Sequence, residues 1–313
     1  MSPYMVSNLY HPTPLLKSHH LQKQLGKSIY YKMECYQPTG SFKIRGMEHL
    51  VRQYMKQGRK HFVASSGGNA GYSVAYVGQQ LGATVKVVVP KTTSEFMIEK
   101  IRNLGTEVSV VGDVWDEAHA HAVVQAYETD AVYVSPFDDP LLWAGHSTLV
   151  TEMDQQLKEQ APDAVIVSVG GGGLLCGVLE GMLYMGWNDT QVITTETEGA
   201  ASFAKSLEAN KLITLPEIAT VATSLGAKRV TGKTLELASN FSITPWIMPD
   251  EEAIRAARQF LDEYNVLVEP ACGAALSVPY LHPELLEGME TVVVIACGGV
   301  STPWKKYQGW QSS

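Results

Sequence analysis

"AVIVSVGGGGLLCG", residues 164–177, joins an apolar β-branched run, four consecutive glycines and the start of an apolar helix. A continuous apolar run of this kind reads as a strand buried on both faces. Glycine permits close backbone approach and a freedom of φ that a Cβ forbids. Strand, glycine turn and helix in that order build α/β folds, in which the carboxyl end of a parallel strand faces the ligand crevice. Such a turn also suits a phosphate, because its N–H groups and the helix dipole both favour an anion.

The same alternation runs along the chain. "SIYYKME" (28–34), "HFVASS" (61–66), "ATVKVVVP" (83–90), "EVSVVG" (107–112), "AVYVSP" (131–136), "QVITTET" (191–197) and "TVVVIACGG" (291–299) read as further strands. Helical segments fall at 69–82, 94–104, 114–128, 145–159 and 250–264, with Thr93 or Ser94 as a start and Gly82 and Gly105 as stops. The fold class is therefore α/β, with two open parallel sheets covered on both faces. Residues 44–140 are expected to form a small domain, and 1–43 with 141–313 a large one, joined by the N-terminal strand. A cleft between two such domains is a common small-molecule site.

Composition narrows the functions. The chain has 313 residues, 45% hydrophobic and 18% charged, with a net charge of −8. An acidic balance argues against nucleic acid, which needs clustered Lys and Arg. Lys56, Arg59 and Lys60 cluster only briefly and read as a solvated helix end. Cys35, Cys176, Cys272 and Cys297 show no zinc-ligand spacing. "MSPYMVSNLYHPTPLL" has no signal-peptide pattern, and the apolar runs near 164–179 and 291–300 are too short or too glycine-rich to span a bilayer. A reducing cytoplasm, free thiols and no membrane partner are the expectation.

Two other loops and one lysine carry chemistry. "ASSGGNAGYS" (64–73) follows a strand and opens a helix, with Ser65, Ser66 and Asn69 as side-chain donors. It reads either as an anion cradle or as a tight turn with an Asn cap. "IACGGVS" (295–301) ends a strand on Cys297 and two glycines. In "YQPTGSFKIRGME" (36–48), Lys43 stands among small residues at a helix start. A desolvated lysine loses its proton more easily and can form a Schiff base with a carbonyl. Gly171, Gly173 and Gly177 loosely mimic a dinucleotide fingerprint, with Glu196 or Glu198 as its acid, but a nicotinamide dinucleotide leaves the lysine unexplained. A phosphate, a flat ring and a carbonyl in one ligand describe pyridoxal 5'-phosphate.

"PTGSFKIRG", "SSGGNAG", "SVGGGGLLCG", "ETEGA", "VEPACGAAL" and "ACGG" occur in that order and span nearly the whole chain. Together they resemble the fold-type II pyridoxal-phosphate enzymes, and most of all the L-serine/L-threonine dehydratases. The resemblance implies a tryptophan synthase β-like fold with the cofactor in the cleft between the domains. Lys43 would hold the cofactor covalently, with Phe42 on one face of its ring and Ser224 on the other. Asn69 would meet the ring hydroxyl and Cys297 the pyridine nitrogen. Gly170, Gly171, Gly172, Gly173 and Leu174 would bind phosphate, and Ser66, Gly67 and Asn69 would lie near the substrate carboxylate. A monovalent cation such as K+ would sit among Gly170, Glu196, Ala200, Leu225 and Ala227, and the enzyme would be a homodimer. Two departures concern the pocket: many relatives have alanine where Gly67 and Ser224 stand here.

The expected reaction is β-elimination of L-serine or L-threonine to pyruvate or 2-oxobutanoate plus ammonia. Lys43 would act as base, and Ser66 or the cofactor phosphate as acid. A neutral thiol at Cys297 disfavours long-lived carbanions and so favours expulsion of a β-leaving group. A racemase or β-replacement enzyme of the same fold, a binding protein without turnover and a nucleotide-dependent dehydrogenase stay as alternatives. His119 and His121 are two apart on a helix and face different ways, which disfavours a metal pair. His146 reads as a structural residue opening a helix, and Glu269 as an acid suited to a helix N-terminus.

Overall fold

The computed structural model describes residues 8–310. Residues 1–7, where the signal-peptide reading begins, and 311–313 lie outside the described residues. Ten strands are described: β1 (Leu15–Lys17), β2 (Ser28–Lys32), β3 (His61–Ala64), β4 (Thr84–Val89), β5 (Glu107–Val110), β6 (Val132–Val134), β7 (Ala164–Ser168), β8 (Gln191–Thr197), β9 (Ile243–Met248) and β10 (Thr291–Ile295). Between them run α1 (His19–Leu25), α2 (Lys43–Lys56), α3 (Asn69–Leu81), α4 (Glu95–Arg102), α5 (Trp115–Glu128), α6 (Pro140–Gln156), α7 (Gly173–Met185), α8 (Ser202–Glu208), α9 (Gly232–Ala238), α10 (Asp250–Tyr264), α11 (Pro270–Leu281) and α12 (Trp304–Gly309).

Two sheets result. One has the order β1-β2-β10-β7-β8-β9, the other β5-β4-β3-β6. Only the β1–β2 pairing is antiparallel among the described strands. β7 is buried along its whole length, and its neighbour β10 everywhere but its first residue, as helices on both faces require. Their register, Val293 opposite Val165, brings the glycine loop after β7 beside the Cys297 loop after β10.

All eight expected strands form. β1 and β9 are additional. β1 has three residues, too few for a pattern, and β9 contains Pro245, which an edge strand tolerates because no outer neighbour needs its N–H. The helix expected from 145 starts earlier, at Pro140. Asp139 caps it by accepting the Leu141 N–H, and proline suits the first helical position. His146 therefore lies in mid-helix and does not open one.

Glycines let α2, α6 and α7 approach closely. A Cβ on Gly145 would stand 2.5 Å from the Arg45 carbonyl oxygen, and one on Gly177 2.4 Å from His146 Cβ. His146 fills this junction, fully buried, and its ring meets Phe42 edge-on at 4.9 Å. Burial, with the charges of Lys43 and Arg45, holds its pKa well below the usual value, so it is a neutral imidazole.

A buried ion network braces the first turn of α2. Arg45 is paired with Glu34 at 2.7 and 2.8 Å and with Glu152 at 2.7 Å twice, and Lys32 joins Glu152 at 2.6 Å. Burial alone would raise the Glu34 pKa. The Arg45 guanidinium, the Thr13 hydroxyl and Lys32 outweigh it and hold Glu34 below its ordinary 4.5. A depressed carboxylate stabilises the fold above its unfolded pKa and loses that contribution as pH falls through the folded value. Glu34→Gln is expected to lower stability by about 3–5 kcal/mol at neutral pH, since it removes one charge of a buried set. The gap to wild type should shrink in acid, below pH 4.5. Urea midpoints at several pH values test this; a constant gap would contradict it.

Candidate active site

The "TGSFK" segment and the Cys297 loop form one unit. Ser41 bridges Gly298, the Phe42 N–H donates to the Cys297 carbonyl (3.3 Å), and the Gly299 N–H donates to that of Gly40 (2.8 Å). Lys43 opens α2 from this unit. Its amine donates to the Pro136 carbonyl at 2.5 Å and stands 5.1 Å from the Phe42 ring centroid. Burial lowers its pKa from 10.5 to about 8. A useful fraction is thus neutral, and so nucleophilic, near neutral pH.

Asn69, the first residue of α3, joins three segments. Its Nδ2 donates to Ser224 Oγ (3.2 Å) and to Glu269 Oε2 (3.0 Å), and its Oδ1 accepts from the Val300 N–H (2.9 Å). Glu269 is the wider hub. Its Oε2 also accepts from Ser224 Oγ (2.5 Å), and its Oε1 accepts from both the N–H (2.7 Å) and the Oγ (2.5 Å) of Ser301. Glu269 does stand at the helix start foreseen for it, as the residue before α11. Its hub role is not visible in sequence, because its partners lie at 69, 224 and 301. Gly299, at φ 133°, is required here, since a Cβ would come 2.1 Å from Glu269 Cδ.

The glycine loop leads into α7 through Gly172, at φ 91°, and no side chain caps that helix. The first N–H groups of α7 have no intrahelical partner and so suit an anion. A Cβ on Gly170 would meet the backbone of Ser224 and Leu225, and one on Gly171 or Gly173 would meet Phe137, the residue after the carbonyl that holds Lys43. Leu174 is buried in the first turn.

In the Asn loop, Ser66 Oγ accepts from the Gly68 N–H (3.3 Å), and Gly67 faces Thr93, whose Cγ2 would lie 2.4 Å from an added Cβ. Ser65 is held from outside the loop. Its Oγ bonds Tyr133 OH (2.7 Å), which bonds His119 Nδ1 (2.7 Å), and its carbonyl accepts from Trp115 Nε1 (2.7 Å). His119 thus turns inward while His121 is exposed, the divergence their spacing implies.

Cys297 is buried, and its thiol is held well above the ordinary pKa by a hydrogen bond with Cys272 and by burial. It is a neutral thiol. All four cysteines are free.

Gly170, Glu196, Ala200, Leu225 and Ala227 contain one carboxylate. Both oxygens of Glu196 already cap α8, accepting from Phe203 N (2.8 Å) and Ala204 N (2.7 Å), and burial pushes its pKa up to about 7. Ser202 Oγ, at the start of α8, is buried without a partner. Glu198 is exposed. No group of three or more His, Cys, Asp or Glu suited to a metal is found among the described residues.

The profile of a family described as "Pyridoxal-phosphate dependent enzyme" matches residues 6–298. A Homo sapiens protein named L-serine dehydratase/L-threonine deaminase is 46% identical over 300 residues, 93% of this chain and 91% of that protein. The crystal structure of a fungal L-serine ammonia-lyase from Rhizomucor miehei superimposes with a TM-score of 0.93 at 36% identity, covering 98% of this chain and 99% of that one. A maize serine racemase structure superimposes with a TM-score of 0.88 at 26% identity, covering 97% and 92%.

Proposed function

Because the chain belongs to the family of pyridoxal-phosphate-dependent enzymes, we propose that it is an ammonia-lyase acting on L-serine and L-threonine, giving pyruvate or 2-oxobutanoate and ammonia. The carrying observation is the amine of Lys43, its pKa lowered to about 8, held by the Phe42 ring and the carbonyl of Pro136, whose neighbour Phe137 lies against the glycine loop.

The residues fit the cofactor. An uncapped helix start over four glycines suits its phosphate, a partly neutral lysine its aldehyde and a neutral buried thiol its ring nitrogen. When bound, pyridoxal phosphate condenses with amines and draws electrons from the substrate Cα. Phe42 and Ser224 would flank the ring, Asn69 would reach its hydroxyl, Cys297 would meet its nitrogen, and Gly170–Gly173 with Leu174 would hold the phosphate. The Lys43 amine would take the substrate Cα proton. Ser66 or the cofactor phosphate would supply a proton to the departing hydroxyl, and Ser66, Gly67 and Asn69 would lie near the substrate carboxylate. Cys297, as a neutral thiol, would leave the ring nitrogen without an anionic partner, which suits loss of the β-substituent.

The same proposal includes a monovalent cation among Gly170, Glu196, Ala200, Leu225 and Ala227, supported by the unpartnered Ser202 hydroxyl beside them in the α8 cap. It includes the division into domains 1–43 with 141–313 and 44–140, with the two sheets as their cores. It also includes a homodimer in the cytoplasm. Free thiols suit a reducing compartment, and no helix among the described residues is long and apolar enough to cross a membrane.

Titration of the cofactor-free protein with pyridoxal phosphate tests the reading. A visible absorption band that borohydride removes is expected. Binding of a nicotinamide dinucleotide with no such band would overturn it.

A further inference from the structure

The hydrogen-bond capacity of Asn69 is almost filled by the protein itself. A side-chain amide has two N–H donors and an oxygen with two lone pairs. Both donors are engaged, one by Ser224 Oγ at 3.2 Å and one by Glu269 Oε2 at 3.0 Å. The amide cannot be reversed. Its oxygen faces the Val300 N–H at 2.9 Å, and a reversed amide would set N–H against N–H there and oxygen against the Glu269 carboxylate. A ligand atom that needs a donor from Asn69 must therefore displace a partner. Of the two, Ser224 is the weaker. Its bond is neutral and longer, whereas the bond to Glu269 is charge-assisted. Ser224 also keeps a partner when displaced, because its own hydroxyl donates to Glu269 Oε2 at 2.5 Å.

We propose that Ser224 competes with the ring hydroxyl oxygen of pyridoxal phosphate for an N–H of Asn69, and so sets cofactor affinity in this chain. The inference rests on the cofactor reading above. Ser224 is then a positioning residue: before the cofactor enters, it holds the Asn69 amide in the orientation that binding uses, at the cost of one hydrogen bond that binding must break. With alanine at 224, Asn69 has a free N–H from the outset.

The test is equilibrium titration with pyridoxal phosphate, read by protein fluorescence, for wild type, Ser224→Ala, Asn69→Ala and the double variant. Ser224→Ala is expected to bind the cofactor about two- to tenfold more tightly, the worth of one neutral hydrogen bond. In the Asn69→Ala background the same change is expected to have no effect, since there is no amide to compete for. Unchanged or weaker binding by Ser224→Ala overturns the proposal. So does equal tightening in both backgrounds, which would mean that removing the hydroxyl only gives the ring more room. Wild type that does not bind pyridoxal phosphate at all would instead refute the cofactor reading itself.

Discussion

Lys43→Ala is expected to lower turnover of L-serine by about 10²–10⁴-fold or more, because in the proposed reaction the covalent attachment point and the Cα base are one amine. The loss should appear in kcat, with the fold intact, since among the described residues the Lys43 side chain makes one hydrogen bond, to the Pro136 carbonyl. Lys43→Arg should fail as completely: a guanidinium keeps its proton and cannot condense with an aldehyde. The lowered pKa adds a pH signature. Capture of the aldehyde needs the neutral amine, so its rate by cofactor-free wild type should rise with pH and level off above about 8. Stopped-flow absorbance measures it. A Lys43→Ala protein that turns over at the wild-type rate, or a capture rate still rising steeply two units higher, would remove Lys43 from its role.

Gly171→Val is expected to weaken pyridoxal phosphate binding by about 10²-fold or more, the loss of one or two charge-assisted N–H contacts. Its Cβ would stand 2.3 Å from the Phe137 ring, so that ring must move across the loop. Gly181→Ala is the control. It lies farther along the same helix, where a Cβ meets Val150 at 2.7 Å, so it should lower the melting temperature and leave cofactor affinity nearly unchanged. Equal loss of affinity in both variants would mean that the glycine loop acts through the fold, with no direct contact to phosphate.

How much of this is legible in the sequence follows from how local each signal is. The run at 164–168, the four glycines and the segment opening at Lys43 carry their structure in adjacent residues, and both sheets follow from such runs. Helix α10 matches its expected limits, because its acidic first turn and amphipathic pattern are local. Signals that depend on distant residues are silent. Glu269 looks like one helix-start acid until the fold brings Asn69, Ser224 and Ser301 to it. The brace on Ser65 is equally hidden, since Tyr133 and Trp115 reach it from another strand and another helix. Helix α6 starts earlier than its apolar pattern suggests, because its true start is set by the Asp139–Pro140 pair. That shift moves His146 from a helix opening to the packed junction behind Phe42.

The most direct test of the proposed reaction is an analysis of products. The protein, reconstituted with pyridoxal phosphate, is incubated with L-serine, and pyruvate, ammonia and D-serine are measured together. Pyruvate and ammonia in equal amounts, with little D-serine, are expected. D-serine as the main product, or serine left unchanged by a protein that has bound the cofactor, would contradict the assignment as an ammonia-lyase.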